Sequence, residues 1–228
     1  MEFYVDTGDL AAIREVAEWF PIDGFTTNPK ILAAQGENAA ALMEPYRQFA
    51  RERGLKVFFQ VTGDTAEEMY EQALALHAYF GENFVVKIPA MREGYRAVGL
   101  CKQAGIPVLV TVVHSVMQAL AAAKAGADYV APYVNKIDDL GADGIGCVAQ
   151  MVTAFRNGGY PCKVLGASFR NVDQIQRLAA VGCHAVTIKA EFFAMLIAHP
   201  ATDAAMAGFR QVWKDTYGDR QVNDLLPE

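Results

Sequence analysis

The 228-residue chain has only four cysteines, Cys101, Cys147, Cys162 and Cys183, and no two of them form a CxxC pair. They fall in stretches that read as helix, strand edge and core, so reduced thiols are expected in place of a disulfide framework. Histidine is equally sparse: His77, His114, His184 and His199 are scattered with no metal-ligand spacing, so neither a metal nor another cofactor is expected. No basic run offsets the formal charge of −6, which argues against nucleic-acid and membrane-surface partners. An anionic small molecule would need a local basic pocket. The apolar runs are of strand length, too short to span a bilayer. The opening Met-Glu-Phe-Tyr-Val-Asp lacks the basic, apolar and small-residue order of a leader, so a cytoplasmic location is expected.

What the chain does have is a repeating alternation. With 53% hydrophobic and 20% charged residues it suits one large-cored domain. Strands are predicted at 2–6, 24–26, 55–61, 84–89, 107–113, 128–132, 163–167 and 184–188. Between and after them, helices are predicted at 10–20 with Asp9 as N-cap, from near Lys30, at 38–53, and to about Phe80 behind a capping box Asp64-Thr65-Ala66-Glu67. Further helices are expected at 92–104, 115–126, 147–157, 172–181, 191–198 and 202–217, with residues 141–146 as a glycine-rich loop. Eight strand–helix units in this length imply an α/β fold, a single-domain (β/α)8 TIM barrel over 1–217 with a C-terminal helical extension. The tail, 218–228, is polar apart from Val222, Leu225 and Leu226, and reads as frayed or docked on a neighbouring subunit.

The fourth strand, Phe84-Val85-Val86-Lys87-Ile88-Pro89, carries a lysine in an otherwise apolar run. A strand lysine ordinarily snorkels to solvent. Here strand alternation places Lys87 on the face of Val85, with no carboxylate on its own strand, so desolvation would lower its pKa and make the amine a nucleophile toward a carbonyl. In a barrel of this kind the chemistry lies at the C-terminal strand ends. Seven such ends supply a polar group: Asp6, Asn28, Gln60, Lys87, Thr111, Tyr133 and Ser168. The eighth supplies none. Their same-face neighbours, Tyr4, Phe58, Val85, Leu109, Ala131 and Gly166, make an apolar floor under a polar rim. Beyond the rim, Lys136 and Arg170 on adjacent loops join Ser168 as a cradle for a phosphate.

Val5-Asp6-Thr7, Thr26-Thr27-Asn28-Pro29, Val85-Val86-Lys87-Ile88-Pro89, Ala131-Pro132-Tyr133-Val134-Asn135 and Gly166-Ala167-Ser168-Phe169 together resemble the transaldolase family. More narrowly, they resemble its small fructose-6-phosphate aldolase branch. Transaldolases usually hold a glutamate where Gln60 stands and a phenylalanine where Tyr133 stands. The resemblance implies class I aldolase chemistry without a metal, with Lys87 forming an imine with the substrate ketone. It implies Tyr133 as general acid/base through a water held by Gln60 and Thr111, Asp6 and Asn28 orienting sugar hydroxyls, and Lys136, Ser168 and Arg170 binding phosphate. The reaction implied is reversible cleavage of fructose 6-phosphate to dihydroxyacetone and glyceraldehyde 3-phosphate. The competing readings are a transaldolase passing the dihydroxyacetone unit to another aldose, and a non-catalytic sugar-phosphate binder. A homo-oligomer, pentamer or decamer, is also implied.

The chain departs from the family pattern in four places. Lys30 stands where serine is usual, Met91-Arg92 replaces a small threonine-containing pair, His114 replaces an aromatic, and Lys189 stands where proline is common. Arg92, His114 and Lys189 lie near strand ends, which opens the expectation of a different anionic group or a bulkier aldehyde.

Overall fold

Eight parallel strands close into a barrel in sequence order in the computed structural model, which describes residues 1–36 and 39–227. The strands are β1 (Glu2–Asp6), β2 (Gly24–Thr26), β3 (Lys56–Gln60), β4 (Phe84–Pro89), β5 (Val108–Val113), β6 (Tyr129–Pro132), β7 (Lys163–Gly166) and β8 (Ala185–Ile188). Between them run α1 (Leu10–Trp19), α2 (Pro29–Ala33), α3 (Ala39–Arg53), α4 (Ala66–Phe80), α5 (Arg92–Gln103), α6 (Val116–Ala125), α7 (Val134–Asp139), α8 (Gly144–Gly158) and α9 (Val172–Ala180). After β8 come α10 (Ala190–Ile197) and α11 (Pro200–Tyr217). The expected (β/α)8 barrel with a helical C-terminal segment is therefore observed. The expected start of the third helix, Asn38, lies outside the described residues.

Local chemistry explains where the elements begin. Asp9 accepts hydrogen bonds from the Ala11 and Ala12 N–H groups and starts α1. The capping box of α4 falls one residue later than expected: Thr65 accepts from the Glu68 N–H, and the Glu68 carboxylate reaches back to the Thr65 N–H. Helix α8 begins at Gly144, three residues earlier than expected, because Asp143 accepts from Gly146 N–H and supplies the cap. The stretch carrying Lys136 forms α7, a short helix where a loop was predicted.

The barrel interior is filled by Tyr4, Phe58, Val85, Leu109, Tyr129, Ala131, Leu165, Ala167 and Ala185. This inner set matches the predicted floor except at β7, where Leu165 and Ala167 point inward in place of Gly166. A side-chain carbon on Gly166 would lie 2.5 Å from Leu178 of α9, so this glycine faces outward. Against the lysine strand, Gly94 of α5 packs so closely that a side-chain carbon there would lie 2.0 Å from the Pro89 carbonyl oxygen.

By packing, the chain divides into two compact units, Met1–Phe193 and Ala194–Glu228. In the second, α11 has no buried residue and exposes Met206, Phe209 and Val212. The tail forms a 3-10 turn at Val222–Leu225, and the Trp213 indole N–H donates to the Arg220 carbonyl. No single helix among the described residues is long and apolar enough to cross a membrane.

Candidate active site

Lys87 is 5% exposed and donates one hydrogen bond from Nζ to the Thr27 carbonyl oxygen at 2.6 Å. Burial holds its pKa below the ordinary lysine value, and the charge of Asp6 opposes that shift only in part. No ion pair among the described residues includes it. The register of β3 and β4 sets Gln60 beside Lys87 and Phe58 beside Val85, so the inward parity of Lys87 follows from the strand pattern.

A cavity of about 230 Å³ opens above the floor. This is smaller than the roughly 300–1,000 Å³ of drug-sized sites and suits a small polar molecule. Asp6, Asn28, Lys87, Thr111, Tyr133 and Ser168 all line it. Gln60, Lys136 and Arg170 do not.

Asp6 sits at the end of a hydroxyl chain that the strand pattern did not reveal. Thr26 Oγ1 donates to Asp6 Oδ1 at 2.7 Å and lies 2.6 Å from Thr187 Oγ1. Because Thr26 gives its one proton to Asp6, Thr187 must donate to Thr26. Both threonines are buried and line the cavity, so β8 supplies a polar group after all. Burial pushes the Asp6 carboxyl above its usual range, opposed by Lys87, Thr26 and Lys189.

Facing Asp6, Tyr133 Oη stands 3.4 Å from Thr111 Oγ1. Burial raises the phenol's pKa, the Thr111 contact lowers it and the Asp6 charge adds to the rise, so the hydroxyl stays protonated at neutral pH. The backbone next to Thr111 is strained. Val112 has φ +61°, and the β5–β6 register shifts between Val110 and Val113. A β-branched residue in the left-handed region costs about 1–3 kcal/mol. His114 Nδ1 lies 3.0 Å from the Val112 carbonyl oxygen, so that nitrogen carries the proton, and the ring packs edge-on against Tyr133 at 5.7 Å. Ser168 has φ +62°, which shifts the inward parity of the β7 end.

Lys136 and Arg170 do converge, on a carboxylate of the chain itself. Lys136 Nζ lies 3.3 Å from one Asp139 oxygen and Arg170 Nη2 2.8 Å from the other. The signal for this was the i,i+3 spacing of Lys136 and Asp139 on a helix. Of the four departures, Lys189 lines the cavity, Lys30 lines an adjoining groove, His114 touches Tyr133, and Arg92 is exposed on the first turn of α5. Among the described residues no group of three or more His, Cys, Asp or Glu side chains is arranged to hold a metal ion.

The fold and cavity thus define a (β/α)8-barrel protein with its candidate site at the C-terminal strand ends, where enzymes of this fold carry their chemistry. Residues 3–224 match the family described as Transaldolase/Fructose-6-phosphate aldolase, and the chain belongs to that family of aldolase- and transaldolase-type enzymes. A solved structure of a mandelate oxidase variant is also similar, at 17% identity and a TM-score of 0.54, over 94% of this chain and 74% of that one. That likeness shows the barrel fold alone.

Proposed function

We propose that the chain is a class I aldolase that cleaves fructose 6-phosphate, or a similar ketose phosphate, reversibly to dihydroxyacetone and glyceraldehyde 3-phosphate. The observation that carries the reading is the buried amine of Lys87, which faces a small cavity between Asp6 and the Tyr133–Thr111 pair. The Lys87 nitrogen adds to the ketone carbon C2, and the ketone oxygen leaves as water to give an iminium. A base takes the C4 hydroxyl proton, the C3–C4 bond breaks, and its electron pair moves into the iminium to give an enamine while the aldehyde departs. Protonation at C3 and addition of water across the C=N bond release dihydroxyacetone and restore the amine. Tyr133 is the acid/base group, acting through a water that takes the C4 hydroxyl proton while the neutral phenol, oriented by Thr111, hydrogen-bonds that water. Asp6 and Asn28 hold the hydroxyls of the three-carbon unit.

Gln60 supports the aldolase reading over transaldolase, because an amide cannot exchange the proton a glutamate would. It lies outside the cavity lining and takes no step here. Ser168 holds the aldehyde-end phosphate, which Lys136 and Arg170 approach by leaving Asp139. The oligomer implied by resemblance goes with this reading, supported by the exposed Met206, Phe209 and Val212 of α11.

Two assays test the proposal. Borohydride reduction with dihydroxyacetone should leave a stable adduct on the Lys87 peptide; an unmodified peptide would mean a binding protein and not an enzyme. Glyceraldehyde 3-phosphate should form from fructose 6-phosphate alone. If it forms only when erythrose 4-phosphate is added, the chain is a transaldolase.

A further inference from the structure

Past Asp6, beside the cavity, lies a second groove of about 460 Å³ that none of the roles above uses. Asp6, Asn28 and Lys189 line both spaces. The groove's outer walls come from α2 and the turn after it, which bring Lys30 and Gln35, and from the end of β8 with α10, which brings Lys189 and Glu191. A molecule anchored at Lys87 and extended past Asp6 therefore runs between two lysines.

The cations around the barrel mouth are not equivalent. Lys136 and Arg170 share Asp139 and stand outside the cavity lining, whereas Lys189 faces the cavity and the groove at once. Three carboxyl groups also line the groove, and each is accounted for. Asp9 is committed to the Ala11 and Ala12 N–H groups at the start of α1. Asp6 accepts from the Thr26 hydroxyl at 2.7 Å, and its charge is shared with the Lys87 amine. Glu191 contacts Lys189 at 3.5 Å, with both side chains more than 60% exposed (63% and 67%), a pairing weak enough for an incoming dianion to replace.

We propose that the groove between Lys30 and Lys189 binds a phosphate ester on the ketone side of the substrate, so that a phosphorylated three-carbon ketone is a better donor to Lys87 than the free ketone. The Lys30 and Lys189 ammonium groups and the Gln35 amide supply donors to phosphate oxygens, and Asn28 spans the boundary with the cavity. A phosphate at the aldehyde end and one at the ketone end then lie on neighbouring arcs of the barrel mouth, β6–β7 for the first and β8–β1–β2 for the second. The proposal rests on Lys87 forming an imine, and its test separates the two.

The experiment titrates the intact protein with dihydroxyacetone and with dihydroxyacetone phosphate under borohydride, and counts the Lys87 adduct by mass spectrometry. In each case the amine adds to the ketone carbon, water leaves, and hydride reduces the C=N bond to a secondary amine. The readout is the ratio of half-saturating concentrations for the two ketones. The phosphorylated ketone should half-saturate at a concentration about tenfold lower, as expected for two partly exposed charge-assisted contacts. Lys30→Met with Lys189→Met should bring the ratio close to one, and Glu191→Gln should widen it. Both lysines are exposed, and circular dichroism checks that the variants fold; each single variant should give an intermediate ratio. Equal half-saturation in the parent, or a ratio unmoved by the lysine substitutions, would overturn the groove. Failure of both ketones to label Lys87 in the parent would overturn the imine reading instead.

Discussion

Lys87 Nζ donates to the carbonyl oxygen of Thr27 at 2.6 Å, which ties the β4 lysine to the backbone just past β2 and holds the amine in the cavity. Burial depresses its pKa, while the charge of Asp6 opposes the shift. The rate of adduct formation should therefore rise with pH and level off below the 10.5 of an ordinary lysine. Asp6→Asn removes the opposing charge, so the inflection should move further down. An inflection that moves up in this variant, read from trapping rates across pH, would show that Asp6 does not face the amine.

Tyr133→Phe removes the hydroxyl that Thr111 orients at 3.4 Å and leaves the ring in place. Loss of a positioned acid/base group lowers turnover by roughly 10²–10⁴-fold. Cleavage of fructose 6-phosphate should fall by about that much, while borohydride labelling of Lys87 persists. Equal cleavage rates in variant and parent would remove Tyr133 from the mechanism.

Thr26 donates to Asp6 at 2.7 Å inside the barrel. Thr26→Val should lower unfolding free energy by about 1–2 kcal/mol, since it leaves a buried acceptor one donor short. It should also raise the pH at which Asp6 ionises, visible in the carboxyl carbon shift. A shift downward would contradict the donor assignment.

Why these threonines escaped the sequence reading is physical. Lys87 was legible because one charged residue in a six-residue apolar strand stands out, and period-two alternation fixes its face. Thr187 sits in the four-residue strand Ala185–Ile188, which is buried throughout and shows no alternation to point at a hydroxyl. The Thr27 carbonyl that anchors Lys87 is backbone and has no sequence signature. Gly166 was placed inward by counting back from Ser168, and the left-handed φ at Ser168 breaks that count. Asp139 was overlooked because Val134–Asp139 was read as a loop, in which i,i+3 neighbours have no fixed geometry.

His114 makes two separable contacts, a hydrogen bond to the strained Val112 and an edge-on packing against Tyr133. His114→Phe keeps a ring and loses the donor, so it should destabilise the chain by about 1 kcal/mol with kcat largely retained. His114→Asn keeps an amide donor and loses the ring, so kcat should fall by roughly 2–10-fold, the scale of an aromatic contact. The opposite pattern, in melts and steady-state kinetics, would show that the ring and not the hydrogen bond holds the bulge.

At the other end of the barrel, Glu2 gathers Lys163 at 2.6 Å, the Tyr4 hydroxyl at 2.7 Å and the Tyr129 hydroxyl at 3.0 Å, with Lys56 nearby. Burial alone would raise its pKa, but these partners outweigh it and hold the carboxyl at about 2. The unfolded chain therefore binds the proton first, and the stabilisation, present above about 4.5, is lost as pH falls toward about 2. Partial exposure limits it to roughly 1–2 kcal/mol. His184 acts earlier on the same descent. Its Nδ1 accepts from the Val164 N–H, and burial together with Lys163 keeps its pKa below the ordinary 6.5, so protonation favours the unfolded chain once pH drops under that value. Urea unfolding followed from pH 7 to pH 3 should thus weaken in two stages. Glu2→Gln should flatten the lower stage and leave the upper one, whereas a variant that loses stability in parallel with the parent below pH 4.5 would show that the acid sensitivity arises elsewhere.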